Sequence, residues 1–384
     1  MTAEVGVQGT VAEGFESVRE EFAALLAEGV TESGAQLAAY VNGRQVVDLW
    51  AGDGMAGDSL TGVYSVTKGA AHLVVALLVQ DGVLDLNREV AHYWSEFAAE
   101  GKGALTLREL LGHRAGVVGV DGGFSMEEMA DDRLLAGRLA GQRPFWEPGT
   151  AYGYHAFVIG ALTGEVVRRA TGRSIQELFE ERIRAPYGLD FHLGLPEALE
   201  ARYLDVLPMR PTPEQFAELQ ADPIDPKSLM GIAFNANAAP PMDLVDFANT
   251  RAVRAQGQAS AGGVGNARGV AGMYAAAISE VDGRAPLLKP ETIAEFAPLY
   301  TVGTDVVTGD VDNFGLGFQA KGVGYPFLGA DAFGHSGAAG ADSFADPRSG
   351  VAYGYVRRRF AFPGGAAPEN DRLAASVVRA AAAA

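Results

Sequence analysis

Tyr64-Ser65-Val66-Thr67-Lys68 opens a mostly apolar run, from Ser65 to Val79, that is rich in Ala, Val and Leu. A run of this kind is read as a helix buried within a domain, because it has no continuous polar face. Residues three apart on a helix share a face, so the Ser65 hydroxyl and the Lys68 amine can meet. A serine hydroxyl is a weak nucleophile at neutral pH and needs a base within hydrogen-bond reach. A lysine held in apolar surroundings loses solvation of its charged form, which lowers its pKa toward base-competent values. Of the chain's five lysines, Lys68 alone lies near the start of a buried-looking helix. The same stretch also reads as a helix N-terminus capped by Ser65, with Lys68 snorkelling to solvent. Ser-x-x-Lys arises by chance about once in a chain of this length, so the pair alone leaves both readings open.

Outward from this helix, the sequence divides by character. Phe15, Val18, Phe22, Leu25 and Leu26 recur at helical spacing over 13–28. Gln36–Val41 and Arg44–Trp50 read as two strands joined by Asn42-Gly43, since both turn residues tolerate positive φ. From about 86 to 255 helical stretches dominate, at 106–112, 126–140, 155–170 and 174–185. Seven prolines between 207 and 241 mark an ordered excursion or lid with little regular structure. After 260 the strand signal returns at 314–320, 332–336, 341–345 and 351–357, and an Ala-rich helix covers about 369–382. The expected architecture is α+β: a sheet domain from 1–85 and 256–384, and a mainly helical domain from 86–255.

Composition narrows the function classes. The 384 residues carry 30 Lys and Arg against 48 Asp and Glu, a formal charge of -18. Such a surface repels phosphate backbones and anionic lipid, so neither nucleic acid nor a membrane is an expected partner. With no cysteine, disulfides, thiolate nucleophiles and cysteine-based metal sites are excluded. The six histidines form no His-x-x-x-His pair, and nothing suggests a zinc site. The amino terminus lacks the basic start and apolar stretch of a leader, and no apolar run approaches bilayer length, so a soluble cytoplasmic protein is expected. There is no Gly-x-Ser-x-Gly, so the α/β-hydrolase nucleophile elbow is no rival.

Further blocks accompany Tyr64–Lys68 in order: Gly82–Leu86, Leu105–Gly116 with Leu-Leu-Gly-His113-Arg-Ala-Gly, Trp146–His155, Ser260–Gly265 and Gly334–Gly340. Together they resemble the serine β-lactamase and penicillin-binding-protein superfamily over roughly residues 15 to 380. Within it the chain is most similar to the class C β-lactamase-like esterases, the family VIII carboxylesterases. The resemblance implies a β-lactamase/transpeptidase-like fold, an antiparallel sheet flanked by helices, and needs no cofactor. It implies Ser65 as acylated nucleophile, Lys68 as its partner and Tyr154 as catalytic tyrosine, with Tyr152 a decoy two residues earlier. A tyrosine near a cationic lysine can have its pKa lowered, so Tyr154 and Lys68 both remain candidates for general base. His335-Ser336-Gly337 stands in the place of Lys-Thr-Gly, on an expected edge strand, and the N–H groups of Ser65 and Ala338 are expected to form the oxyanion hole. His335 reads either as having a polarising or orienting catalytic role or as a strand histidine bonded to a neighbouring carbonyl. The other five histidines, His113 included, read as structural.

Two departures bear on substrate. The β-lactamases carry Tyr-x-Asn, where this chain has Tyr154-His155-Ala156, and His335 replaces their lysine. Losing that amide and that charge argues for small neutral carboxylic esters over penicillins. Alternatives on the same scaffold are a β-lactamase or D-amino-acid peptidase, an acyltransferase, and a non-catalytic binding module. Leu207, Met209, Met230, Phe234 and Met242 are expected either to wall the pocket or to pack in a surface loop. Oligomeric state is not legible.

Overall fold

The computed structural model describes residues 6–384; the residues before these, on which the reading of a leader rests, lie outside the described part. The hairpin expected at Asn42-Gly43 forms, with φ of 49° and 78° at the two turn residues. It joins β2 (Ala35–Val41) to β3 (Arg44–Ala51), and β1 (Gln8–Val11) pairs with the far side of β3. Two-residue strands β4 (Thr61–Gly62), β5 (Phe191–His192) and β6 (Val264–Gly265) make a small separate sheet. From the carboxyl-terminal part come β7 (Gln319–Ala320), β8 (Phe333–Gly334), β9 (Asp342–Asp346) and β10 (Val351–Arg357). The main sheet is antiparallel with order β1-β3-β2-β10-β9-β8-β7, so the two ends of the chain meet at the β2–β10 pair.

Alternation along the central strands sends side chains to two apolar layers. Leu37, Val351, Tyr353 and Tyr355 face α1 (Glu16–Ala27) and the carboxyl-terminal helix. Ala38, Ala352 and Val356 face the second layer, which contains α2 (Val66–Gln80). Residues 66–78 of α2 are all buried, as its all-round apolarity requires. Beyond α2 lie the helices of the middle region, among them α3 (Ile159–Thr171). Against β10 and β2 packs α4 (Ala267–Ile278), and α5 (Glu369–Ala383) closes the chain beside α1. No helix among the described residues is long and apolar enough to cross a membrane.

The structure departs from the sequence reading in four places. Helix α4 occupies a stretch to which the sequence reading assigned no element of its own; Gly269 and Gly272 weaken its helical signal, yet Gly269 lets it approach the Asp190 backbone and Gly354 lets it lie close on β10. A Cβ at Gly354 would stand 2.8 Å from the Ala267 carbonyl oxygen. The Pro-rich excursion holds helices at Pro213–Ala221 and Leu229–Ala233, because Pro213 occupies a first-turn position behind the Thr212 cap, where no N–H is needed. The stretch 314–320 keeps strand only at its end, since Gly317 turns at φ 78°. The 126–140 helix breaks at Asp131, which is extended and caps the helix after it.

Candidate active site

The small sheet delivers the chain to the nucleophile candidate: Val63 N–H donates to Gly263 O at 3.1 Å, just beyond β4. Tyr64 then turns through φ 47°, a strained conformation costing a non-glycine residue about 1–3 kcal/mol. Its ring is held by an edge contact with Phe360 at 5.3 Å and its hydroxyl by the Leu244 carbonyl at 2.7 Å. Ser65 consequently occupies the N-cap position of α2, but its side chain makes no capping bond. Lys68 does not snorkel; it is 0% exposed. The cap-and-snorkel reading therefore does not describe this helix start.

Ser65 Oγ is instead engaged from two sides. Lys68 Nζ lies 2.9 Å away, and the Tyr154 hydroxyl donates to Oγ at 2.7 Å. Nζ also donates to the carbonyls of Ala156, at 2.6 Å, and Ser260, at 3.0 Å. A neutral amine has two N–H bonds and one lone pair. With the carbonyls taking both N–H bonds, the lone pair is left facing Ser65. Burial drives the amine well below its ordinary pKa, because the charged form loses its hydration. At Tyr154 the phenol moves the opposite way. Burial raises it, outweighing the bond to Ser65, and the Asp305 carboxylate adds to the rise. The sequence-based expectation of a lowered tyrosine is thus reversed. Shifts in these directions favour a protonated phenol and a neutral amine.

Tyr154 is gripped from both flanks. Gly153 N–H donates to His113 O at 3.0 Å, and His155 N–H to His113 Nδ1 at 3.1 Å, so His113 braces the loop, as a structural residue should. On the other flank, Asp305 Oδ1 accepts the Tyr154 N–H at 3.1 Å. The Tyr154 ring stacks on Phe314, with centroids 5.6 Å apart. Tyr152 is turned away, its hydroxyl on Gly303 O at 2.5 Å.

His335-Ser336-Gly337 continues from β8, with His335 N–H on Ser343 O at 3.0 Å and Gly337 N–H on Ala341 O at 2.8 Å. The expected edge strand is corrected here, since β8 has β7 beyond it. That cover ends at Gly334; past it, the Ser336 N–H is taken by the Gln319 side chain at 2.9 Å. His335 Nδ1 lies 2.8 Å from Ser336 O, which assigns the proton to Nδ1. Burial holds the ring well below its usual pKa, which disfavours its charged form. A Cβ on Gly337 would stand 2.4 Å from Val63 O, so only glycine brings this segment against the turn into Ser65. Among the described residues, the N–H groups of Ser65 and Ala338 have no hydrogen-bond partner.

Ser65, Tyr154 and the 335–338 segment open onto a cavity of about 570 Å³. Of the five apolar residues expected to wall it, only Phe234 does. Thr308, Asp310–Phe314, Val323 and Tyr325 also line it, which the sequence reading missed. Nothing in Thr304-Asp-Val-Val-Thr-Gly-Asp310 distinguishes a pocket wall from an ordinary turn. Among the described residues lining the cavity, the one lysine, Lys321, is paired with Asp342, while Asp310, Asp312 and Asp371 stand at it.

Comparison with known proteins shows the family of the chain. The family model described as Beta-lactamase matches residues 22–377. The Esterase/beta-lactamase LipL of Mycobacterium tuberculosis (strain ATCC 25618 / H37Rv) is 31% identical over 363 residues, covering 86% of this chain and 78% of that protein. The structure of EstA from Arthrobacter nitroguajacolicus Rue61a superposes with a TM-score of 0.88 at 42% identity, covering 100% of this chain and 99% of that one. A family VIII carboxylesterase superposes with a TM-score of 0.86 at 36% identity, over 98% and 100% of the two chains.

Proposed function

The chain belongs to the beta-lactamase family, and from that premise we propose that it is a carboxylesterase hydrolysing small carboxylic esters through an acyl-enzyme on Ser65. The observation that carries this reading is Ser65 Oγ, free of any capping bond and held between the Lys68 amine and the Tyr154 hydroxyl at the floor of a cavity. One solved relative is a carboxylesterase by name and another relative is named both esterase and beta-lactamase, and their likeness extends over most of the chain.

Neutral Lys68 takes the Ser65 proton as Oγ attacks the ester carbonyl. The N–H groups of Ser65 and Ala338 stabilise the oxyanion. As the tetrahedral intermediate collapses, the Tyr154 hydroxyl protonates the departing alcohol, and the Lys68 ammonium restores the tyrosine proton. Water then attacks the acyl-enzyme with the same base. His335 orients the substrate as a neutral ring. It offers no cation to the carboxylate of a β-lactam, which supports esters over penicillins. At the position of the β-lactamase asparagine, Ala156 supplies a main-chain carbonyl to Lys68 and no side-chain amide.

Hydrolysis of p-nitrophenyl acetate and of nitrocefin, measured side by side, tests the reading together with intact-mass analysis after a fluorophosphonate probe. Wild type should gain one adduct, Ser65→Ala none, and the acetate should turn over far faster than nitrocefin. Turnover of nitrocefin alone would overturn the ester assignment. Equal labelling of Ser65→Ala would overturn the nucleophile.

A further inference from the structure

The loop before the cavity wall is hydrogen-bonded to the Tyr152–His155 segment at three points. Val306 N–H donates to Tyr152 O at 3.0 Å, and the Tyr152 hydroxyl returns a bond to Gly303 O. At Gly153 there is no room for a side chain: a Cβ would lie 2.7 Å from Val307 Cγ2 and 2.9 Å from Val306 Cγ2. The centre of this contact is Asp305, 1% exposed, whose Oδ1 accepts three backbone N–H groups. These are Tyr154 at 3.1 Å, Val307 at 2.8 Å and Thr308 at 3.0 Å. Oδ2 is buried and without a hydrogen-bond partner among the described residues. Leaving a buried carboxylate oxygen unpaired is costly, and a cap or turn serving only its own loop has no need of the bond to Tyr154.

We propose that Asp305 is a positioning residue for acyl transfer: one oxygen ties the Tyr154 backbone to the Val307–Thr308 turn, where the cavity wall begins at Thr308, and thereby fixes the tyrosine hydroxyl on Ser65 Oγ. The inference rests on the Ser65–Lys68–Tyr154 reading above. Asp305 touches neither Ser65 nor Lys68, so it acts through Tyr154 alone. Through these bonds it ties the loop that leads into the wall to the loop carrying the tyrosine. Each of the three donors is a main-chain N–H, so the restraint holds the backbone and leaves the phenol ring to its stack on Phe314. The carboxylate has a second effect of the same sign, since its charge helps keep the phenol protonated and able to donate.

A double-mutant cycle with p-nitrophenyl acetate tests this. Tyr154→Phe, Asp305→Ala and the combined variant are compared with wild type for kcat and KM, with thermal unfolding measured on each. Asp305→Ala should lower kcat about 10- to 100-fold, the scale of a misplaced catalytic group, with KM changed less. The combined variant should be no slower than Tyr154→Phe. Asp305→Asn, which keeps an acceptor oxygen for the three N–H groups, should stay within about threefold of wild type, as a restored restraint requires. If Asp305→Ala shows no cooperative unfolding, Asp305→Ser, whose shorter side chain withdraws the oxygen from Tyr154, takes its place in the cycle. Losses that multiply, or an unchanged kcat in Asp305→Ala, would overturn the positioning role alone. A Tyr154→Phe enzyme with wild-type kcat would overturn the tyrosine's part in the mechanism, and this inference with it.

Discussion

Lys68 Nζ stands 2.9 Å from Ser65 Oγ with its two remaining hydrogen-bond positions occupied by main-chain carbonyls, those of Ala156 and Ser260. The amine is thereby held by two groups that do not titrate, and in its neutral form its lone pair faces Ser65. Lys68→Met should lower kcat about 10²–10⁴-fold, the usual worth of a general base. Lys68→Arg should not rescue it, because a guanidinium stays protonated and has no lone pair to offer. Stopped assays with p-nitrophenyl acetate check both, and an active Lys68→Arg enzyme would contradict the assignment of the base.

The pH dependence follows from two opposite shifts. Burial lowers Lys68, and the base must be neutral, so kcat/KM rises with pH through that lowered value. Burial raises Tyr154, so its hydroxyl remains protonated past the ordinary phenol value of about 10. The profile should therefore reach its plateau well below the ordinary lysine value of about 10.4 and show no fall before about pH 10. The stability linked to Lys68 has the same sign: it is present in full above the unfolded value and is lost as pH falls through the lowered one. A profile from pH 5 to 10 that begins to climb only near its upper end would refute the neutral amine.

Charge at the cavity sets a further expectation. Asp310, Asp312 and Asp371 stand at it, and Lys321 is already committed to Asp342. A neutral ester should be preferred over a monoanionic ester of equal size by about tenfold at low salt, with the margin shrinking at high ionic strength. Asp310→Asn combined with Asp312→Asn should narrow it. Equal kcat/KM for the two esters at all salt concentrations would show that the carboxylates do not bear on substrate choice.

Two glycines should separate activity from stability. Gly337→Ala forces its Cβ against Val63 O and spreads the segment that faces Ser65, lowering kcat about 10- to 100-fold. Gly354→Ala forces its Cβ against the backbone of α4 and should cost about 1–3 kcal/mol of stability, as overpacking does. Its kcat per folded molecule should be retained. Thermal denaturation and active-site titration distinguish the two outcomes.

The sequence by itself determined the parts that are written locally. An Asn-Gly turn, a mostly apolar helix and a Ser-x-x-Lys spacing each act within a few residues, so β2, β3 and α2 stand where their signals lie. The Lys68–Ser65 pair is likewise a one-turn relationship. Tertiary structure alone decided the rest. Whether Ser65 caps its helix or faces Tyr154 depends on Tyr64 being turned through a strained φ by contacts with Phe360 and Leu244, far along the chain. The direction of the Tyr154 shift depends on burial and on Asp305, 151 residues away. The cavity wall at 308–314 carries no periodicity or motif, because its placement comes from hydrogen bonds to another loop. Local spacing specifies which groups can react; only distant packing fixes their protonation, their neighbours and the space in front of them.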